Sequence, residues 1–172
     1  MDSATGILTL IAGSRFSTGG SGADGISLAV SPDGRFLYAS NASSGNISVM
    51  PVNNGALQLS GSPVPVAAGT FAVDLQVTAD GKYLAVTIAS LSGGFIAMYN
   101  IAADGSLSQI PGSPFADGNP PGGFTDSLDS NCAANRLFVL NNSGLPLIDV
   151  FSINSSGALS PIPNSPFTME PA

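Results

Sequence analysis

One pattern returns four times along this chain, and its period limits the possible folds more than any other property. Gly6-Ile7-Leu8 leads to Gly13-Ser14-Arg15-Phe16, and Gly55-Ala56-Leu57 leads to Gly61-Ser62-Pro63-Val64. Gly105-Ser106-Leu107 leads to Gly112-Ser113-Pro114-Phe115, and Gly157-Ala158-Leu159 to Asn164-Ser165-Pro166-Phe167. The leading glycines stand 49, 50 and 52 residues apart. A second element precedes three of these tails: Val49-Met50-Pro51-Val52, Met98-Tyr99-Asn100-Ile101 and Val150-Phe151-Ser152-Ile153. A third, Ser31-Pro32-Asp33-Gly34-Arg35-Phe36-Leu37-Tyr38, returns as Thr78-Ala79-Asp80-Gly81-Lys82-Tyr83-Leu84. Its last copy, Cys132-Ala133-Ala134-Asn135-Arg136-Leu137-Phe138-Val139, has lost the Asp-Gly pair and reads as about three residues longer.

Each unit holds four short apolar or alternating runs separated by Gly, Asn, Asp, Ser and Pro. In the first unit they are 26–30, 36–41, 46–52 and 56–60. Such runs read as strands. Asp33-Gly34 and Asp80-Gly81 read as hairpin turns, because the tight turn between two strands needs positive φ. No stretch keeps helical apolar spacing for a helix's length. Four strands per unit at a period near 50 is the pattern of a β-propeller blade. The expectation is an all-β partial propeller. Residues 1–16 form an orphan outer strand (7–12) and closer, 17–64 the first blade, 65–115 the second, 116–167 the third and 168–172 a tail.

Three blades do not complete a circle, since closed propellers carry four to eight. The two end blades would each expose an apolar face, and such faces associate. The expected partner is therefore another copy of the chain. Two copies could form a pseudo-ring, or many a head-to-tail filament in which the extra strand adds to a neighbouring edge. The third possibility is a piece of a longer propeller.

Composition removes several chemistries. The chain has no His and one Cys, so it cannot build a Cys/His zinc site, a Ser-His-Asp triad or a Cys-His pair. Four basic residues against eleven acidic ones, a net charge of −7, make nucleic acid a poor partner. No apolar run is long enough for a membrane helix. Residues 1–16 lack the basic start and long apolar core of a signal peptide. Even so, the low charge and the Ser/Asn/Gly-rich surface point to an extracellular, periplasmic or cell-surface protein.

At Ser31 to Asn41, Asn46-Ile47-Ser48-Val49, the Gly-x-Leu tails and the Gly-Ser-Pro-Phe closers, the sequence resembles the YVTN-type repeats of lactonase-like seven-bladed propellers. That resemblance implies four-stranded antiparallel blades around a central channel. It also implies relatives that are 6-phosphogluconolactonases or muconate-lactone cyclases, beside many surface proteins without assigned chemistry. The enzymatic relatives' channel site uses His, Arg and Glu. Here His is absent and the one Glu is Glu170, so that site does not carry over.

Five of the eleven acidic residues read as turn punctuation: Asp24, Asp33, Asp80, Asp104 and Asp117 all precede glycine. Asp74 and Asp126 stand apart. Both fall in the first, innermost strand of a blade, where alternate side chains face the channel; Ser27 takes the place of Asp74 in the first blade, and Asp126 or Thr125 takes it in the third. Channel carboxylates could hold a hard cation such as calcium; otherwise no cofactor is expected. Arg35 and Lys82 share one repeat position, with Arg136 close to it, and are expected to cover the blade edge or to pair with turn carboxylates. Cys132 is expected to be a buried or partly buried free thiol. The functional expectation is a non-catalytic module for assembly or binding. The alternative is a lactonase-like hydrolase, or a fragment of one.

Overall fold

The structure, a computed structural model, describes residues 5, 7–11, 13–21, 25–66, 70–119, 124–142 and 146–168. The chain is an all-β partial propeller of three antiparallel sheets, and the described residues contain no helix. The first blade consists of β1 (Gly25–Val30), β2 (Phe36–Asn41), β3 (Asn46–Asn53), β4 (Ala56–Leu57) and β5 (Val64–Pro65). The second has β6 (Phe71–Val77), β7 (Tyr83–Ser90), β8 (Gly93–Ile101), β9 (Leu107–Gln109) and β10 (Phe115–Ala116). The third has β11 (Phe124–Ser130), β12 (Arg136–Asn142), β13 (Pro146–Ile153), β14 (Leu159–Pro161) and β15 (Phe167–Thr168).

The outer strand of each blade is split, which the sequence pattern alone did not show. The Gly-x-Leu tail pairs with one end of the third strand, and the closer pairs with its other end. The turn and proline of the closer interrupt the ladder between them, since proline brings no N–H to it. Residues 7–11 form no strand, against the expectation for 7–12; an outer strand needs a third strand to pair with, and among the described residues none pairs with them. Residue 12 and the tail beyond Thr168 lie outside the described residues.

The third hairpin turn also departs from its sequence reading. It is no longer than the others, because Asn131 N bonds Arg136 O as Ser31 N bonds Phe36 O and Thr78 N bonds Tyr83 O. Asn131 Oδ1 accepts from Asn135 N and Arg136 N, each at 3.0 Å, so one amide replaces the lost Asp. This register puts Asn135 at the position of Arg35 and Lys82, and Arg136 at that of Phe36 and Tyr83. Cys132 is an exposed free thiol, not a buried one, because it stands in the turn at the place of Pro32 and Ala79.

The core lies between blades. One cluster joins Phe36, Tyr38, Ile47 and Val49 of the first blade to Leu84, Val86, Ile88 and Tyr99 of the second. The other joins Ala85, Ile96 and Met98 of the second to Leu128, Leu137, Val139 and Phe151 of the third. The second blade is therefore buried on both faces, and its β7 is an almost continuous buried run. The end blades bury one face fully and keep part of the other open.

The Gly-x-Leu glycines fasten neighbouring blades. Gly105 lies beneath the ring of Phe36 and Gly157 beneath that of Tyr83, one blade back. Tyr38 Oη donates to Gly105 O at 3.2 Å, and Tyr83 Oη to Ser155 O at 2.9 Å, in those same loops.

Candidate functional site

The innermost strands carry a bulge at equivalent places: between Gly25 and Leu28, between Ala72 and Leu75, and between Thr125 and Ser127. A bulge leaves backbone groups outside the ladder, and in the first two blades hydroxyls of the adjacent strand take them up. Ser27 N donates to Ser40 Oγ at 3.0 Å, and Asp74 N donates to Thr87 Oγ1 at 2.9 Å. The bulges turn the side chains of Ser27, Asp74 and Ser127 toward one another.

Asp74 ties all three blades together. Its Oδ1 accepts from Ser27 Oγ at 2.5 Å and from Leu75 N at 2.9 Å. Its Oδ2 accepts from Ser127 Oγ and Leu128 N, both at 3.0 Å. Four donors fill the acceptor capacity of a carboxylate, leaving no ready lone pair for a substrate proton or a metal ion. The chemistry of this arrangement is that of a clasp. Ser27 and Asp74 meet here, whereas Asp126 is exposed one residue before Ser127, which holds the matching register position. Among the described residues no three Asp, Glu or Cys side chains converge as a metal centre of that kind requires.

A second polar group is buried between the second and third blades. Asp117 is 1% exposed, and Thr125, Asn141 and Asp149 are also buried. Asp117 accepts from Asn119 N at 2.8 Å and Asn119 Nδ2 at 2.9 Å, the local bond expected before a glycine, but it also accepts from the buried Thr125 hydroxyl. Asn141 Nδ2 donates to Asp149, whose other oxygen accepts from Ser165 Oγ at 3.1 Å. Burial pushes the Asp149 carboxyl above its ordinary pKa; the Ser165 and Asn141 bonds oppose this and the Asp117 charge adds to it. The sequence reading of Asp117 as turn punctuation found only half of its role.

The turn carboxylates behave oppositely. Asp33 is held well below the usual carboxylate range by the Ser31 hydroxyl first, then by Arg35. Asp80 is lowered too: burial opposes the shift, but bonds from Thr78 and Lys82 outweigh it. Ser106 lowers Asp104 in the same way. Arg35 Nε lies 2.7 Å from Asp33 and Lys82 Nζ 3.1 Å from Asp80, so these bases pair with turn carboxylates. Asp24 and Glu170 lie outside the described residues.

A pH dependence follows with a definite sign. Lowered folded-state pKa values give stability that is complete above the unfolded value of about 4 and lost as pH falls through the folded values. Asp149, raised in the fold, works the other way, its contribution being complete in acid and lost on the way to neutral pH. Urea midpoints are therefore expected to fall below about pH 4. The double variant Asp33→Asn, Asp80→Asn should show a flatter acid limb.

The fold and its bulged inner strands define a propeller wall. The family model described as Lactonase, 7-bladed beta-propeller matches residues 14–165, and the chain belongs to that family. No match was found among the curated proteins. Among solved structures, the periplasmic gluconolactonase of Pseudomonas aeruginosa is 22% identical with a TM-score of 0.68, over 85% of this chain and 41% of that one. A 6-phosphogluconolactonase candidate from Bacteroides uniformis is 21% identical with a TM-score of 0.68, over 85% of this chain and 44% of that one. A protein from Lactobacillus plantarum is 21% identical with a TM-score of 0.67, over 78% of this chain and 39% of that one. At these identities the likeness shows the fold. The chain spans about two fifths of each of these structures. No helix among the described residues is long and apolar enough to cross a membrane.

Proposed function

We propose that this chain acts as a three-blade section of a lactonase-like propeller, and that the completed ring hydrolyses a sugar lactone. The carrying observation is the pair of unfinished faces. Leu28 is 64% exposed, whereas Leu75 and Leu128 at the same position of the other blades are 2% and 6% exposed. Phe138 is 41% exposed, whereas Tyr38 and Ala85 at its position are 0% exposed. Val30, Leu28 and the groove lined by Phe138, Leu140 and Ile148 are surfaces that a neighbouring blade covers in the middle of the sheet stack. Membership in a seven-bladed family supports four further blades as the cover.

The reaction class rests on the family and on the named gluconolactonase neighbour. Within these three blades, the channel carboxylate Asp74 is occupied by its four donors. The lactone-opening base is therefore placed in the remaining blades, and these residues supply a wall of the channel. A periplasmic or extracellular place fits the same neighbour. The second reading is a non-catalytic module that completes its ring or a filament with its own copies, favoured by the missing His and the occupied Asp74.

Sedimentation across a range of concentrations, of the chain alone and of the chain joined to the four blades that complete a seven-bladed relative, with gluconolactone and 6-phosphogluconolactone hydrolysis assayed on each species, separates the readings. Turnover that appears only in ring-complete species supports the lactonase section. Assembly without turnover supports the module. A monodisperse 17.1 kDa monomer would sink self-assembly, and absence of turnover from every ring-complete species would sink the lactonase. Replacing both Leu28 and Phe138 by serine is expected to shift any self-assembled mass toward the monomer.

A further inference from the structure

The three junctions between a blade and the closer that precedes it are built on one plan but filled with different chemistry. After each closer, one residue lies over a pair on the second and third strands of the next blade. In the first junction the three are Thr18, Asn41 and Ser48; in the second, Val66, Ile88 and Ala97; in the third, Asp117, Asn141 and Asp149. The first is a satisfied neutral network. Thr18 Oγ1 donates to Asn41 Oδ1 at 2.6 Å, and Asn41 Nδ2 donates to Ser48 Oγ at 2.7 Å. The second is apolar, and its three residues lie together in the core. The third keeps the amide and replaces both hydroxyl residues with carboxylates.

That replacement removes a proton the plan requires. Asn141 Nδ2 donates to Asp149 as Asn41 donates to Ser48. The amide orientation is fixed by this bond, because only nitrogen can donate to a carboxylate. Asn141 Oδ1 then faces the place where Thr18 donates in the first junction, and Asp117 stands there with no proton to give when ionised. Asn141 is 1% exposed and its Oδ1 has no hydrogen-bond partner. The two buried carboxylates also lack a countercharge. Arg35 and Lys82 are paired with turn aspartates, and among the described residues no ion pair reaches Asp117 or Asp149. Uncompensated buried charge is costly enough that such groups bind a cation or take a proton.

The space is shaped for oxygen atoms. Gly94 of the second blade faces the cluster, and a Cβ there would overlap both Asp117 Oδ2 and Thr125 Oγ1. We infer that this junction binds one hard divalent cation of calcium type, held by Asp117, Asp149 and Asn141 Oδ1 with Thr125 Oγ1 beside them. A charge of +2 neutralises the two carboxylates, and the cation gives Asn141 Oδ1 a partner. Calcium accepts mixed carboxylate, amide and hydroxyl oxygens in irregular arrangements, whereas magnesium demands a strict octahedron and keeps its waters. The site is distinct from the channel, where Asp74 is already occupied.

The test uses the whole chain freed of metal with EDTA and then titrated with calcium chloride at neutral pH. Calorimetry is expected to find one calcium per chain, with a saturable rise of several degrees in Tm. Asp149→Asn should abolish both, while Asp126→Asn should leave both unchanged. Asp117→Thr combined with Asp149→Ser rebuilds the first junction's residues, so it is expected to fold with a Tm indifferent to calcium and EDTA. Absence of calcium binding by the wild-type chain would overturn the inference, as would calcium binding that survives in the rebuilt variant. A Tm that ignores calcium but rises as pH falls would also overturn it, showing that a proton neutralises the pair; Asp117 and Asp149 are the titratable groups within the cluster.

Discussion

Gly157→Ala is expected to lower stability by roughly 2–5 kcal/mol, from two separable causes. Gly157 has φ of +80°, where an L side chain costs about 1–2 kcal/mol. Its added methyl would also stand 2.6 Å from Tyr83 Cε1 and overlap Ile110 Cδ1, and overpacking of this kind costs about 1–3 kcal/mol. Gly105 repeats the situation one blade earlier, with φ of +82° and a methyl 2.7 Å from Phe36 Cγ. Gly34 isolates the first cause: its φ is +72°, but nothing lies within 4 Å of an added Cβ. Chemical denaturation should therefore rank Gly157→Ala and Gly105→Ala well below Gly34→Ala in stability. Equal losses at Gly34 and Gly157 would mean that the aromatic-over-glycine contact does not fasten the blades. Against a usual total of about 5–15 kcal/mol, the predicted loss is enough to leave the third blade loosely held.

The strands of each blade were legible because their signals are local. Asp33-Gly34 and Asp80-Gly81 lie between apolar runs, and the alternation on either side sets the pairing. Even the degenerate third turn kept its length, although Asn131 does with one amide what Ser31 and Asp33 do together. The bulges were less legible. An extra residue shifts the alternation by one, so counting along the innermost strand reaches Asp126 or Thr125, while the ladder gives the position to Ser127, whose hydroxyl bonds Asp74. The split outer strand was hidden for a related reason, since the closer contributes only two paired residues beyond its proline. The junctions were the least legible. Asp117 sits in an Asp-Gly pair that fits turn chemistry, and its burial depends on Gly94 and Thr125, which belong to different blades. Local pattern gives the blade; what passes between blades requires the register of three strands at once.

The second large effect is expected at Asp74. Asp74→Ala removes the acceptor of four hydrogen bonds: two hydroxyls, from Ser27 and Ser127, and two backbone N–H groups, from Leu75 and Leu128. Water can replace the carboxylate at the exposed Ser127 hydroxyl, but less readily at the backbone of the buried Leu128. Hydrogen bonds to a charged acceptor contribute about 1.5–3 kcal/mol each, and water recovers part of that, so a net loss of about 2–4 kcal/mol is expected. Asp74→Asn should be nearly as damaging, because its amide nitrogen turns a donor toward other donors. Asp126→Asn, at an exposed side chain next to the clasp, should stay within about 0.5 kcal/mol of the wild type. Stability alone would not distinguish a clasp from a packing defect, so the deciding readout is local. Amide exchange at Leu128 and along β11 should accelerate more than exchange in β2, as the third blade opens independently of the first. Uniform acceleration across all three blades would show that Asp74 supports the second blade without joining it to its neighbours.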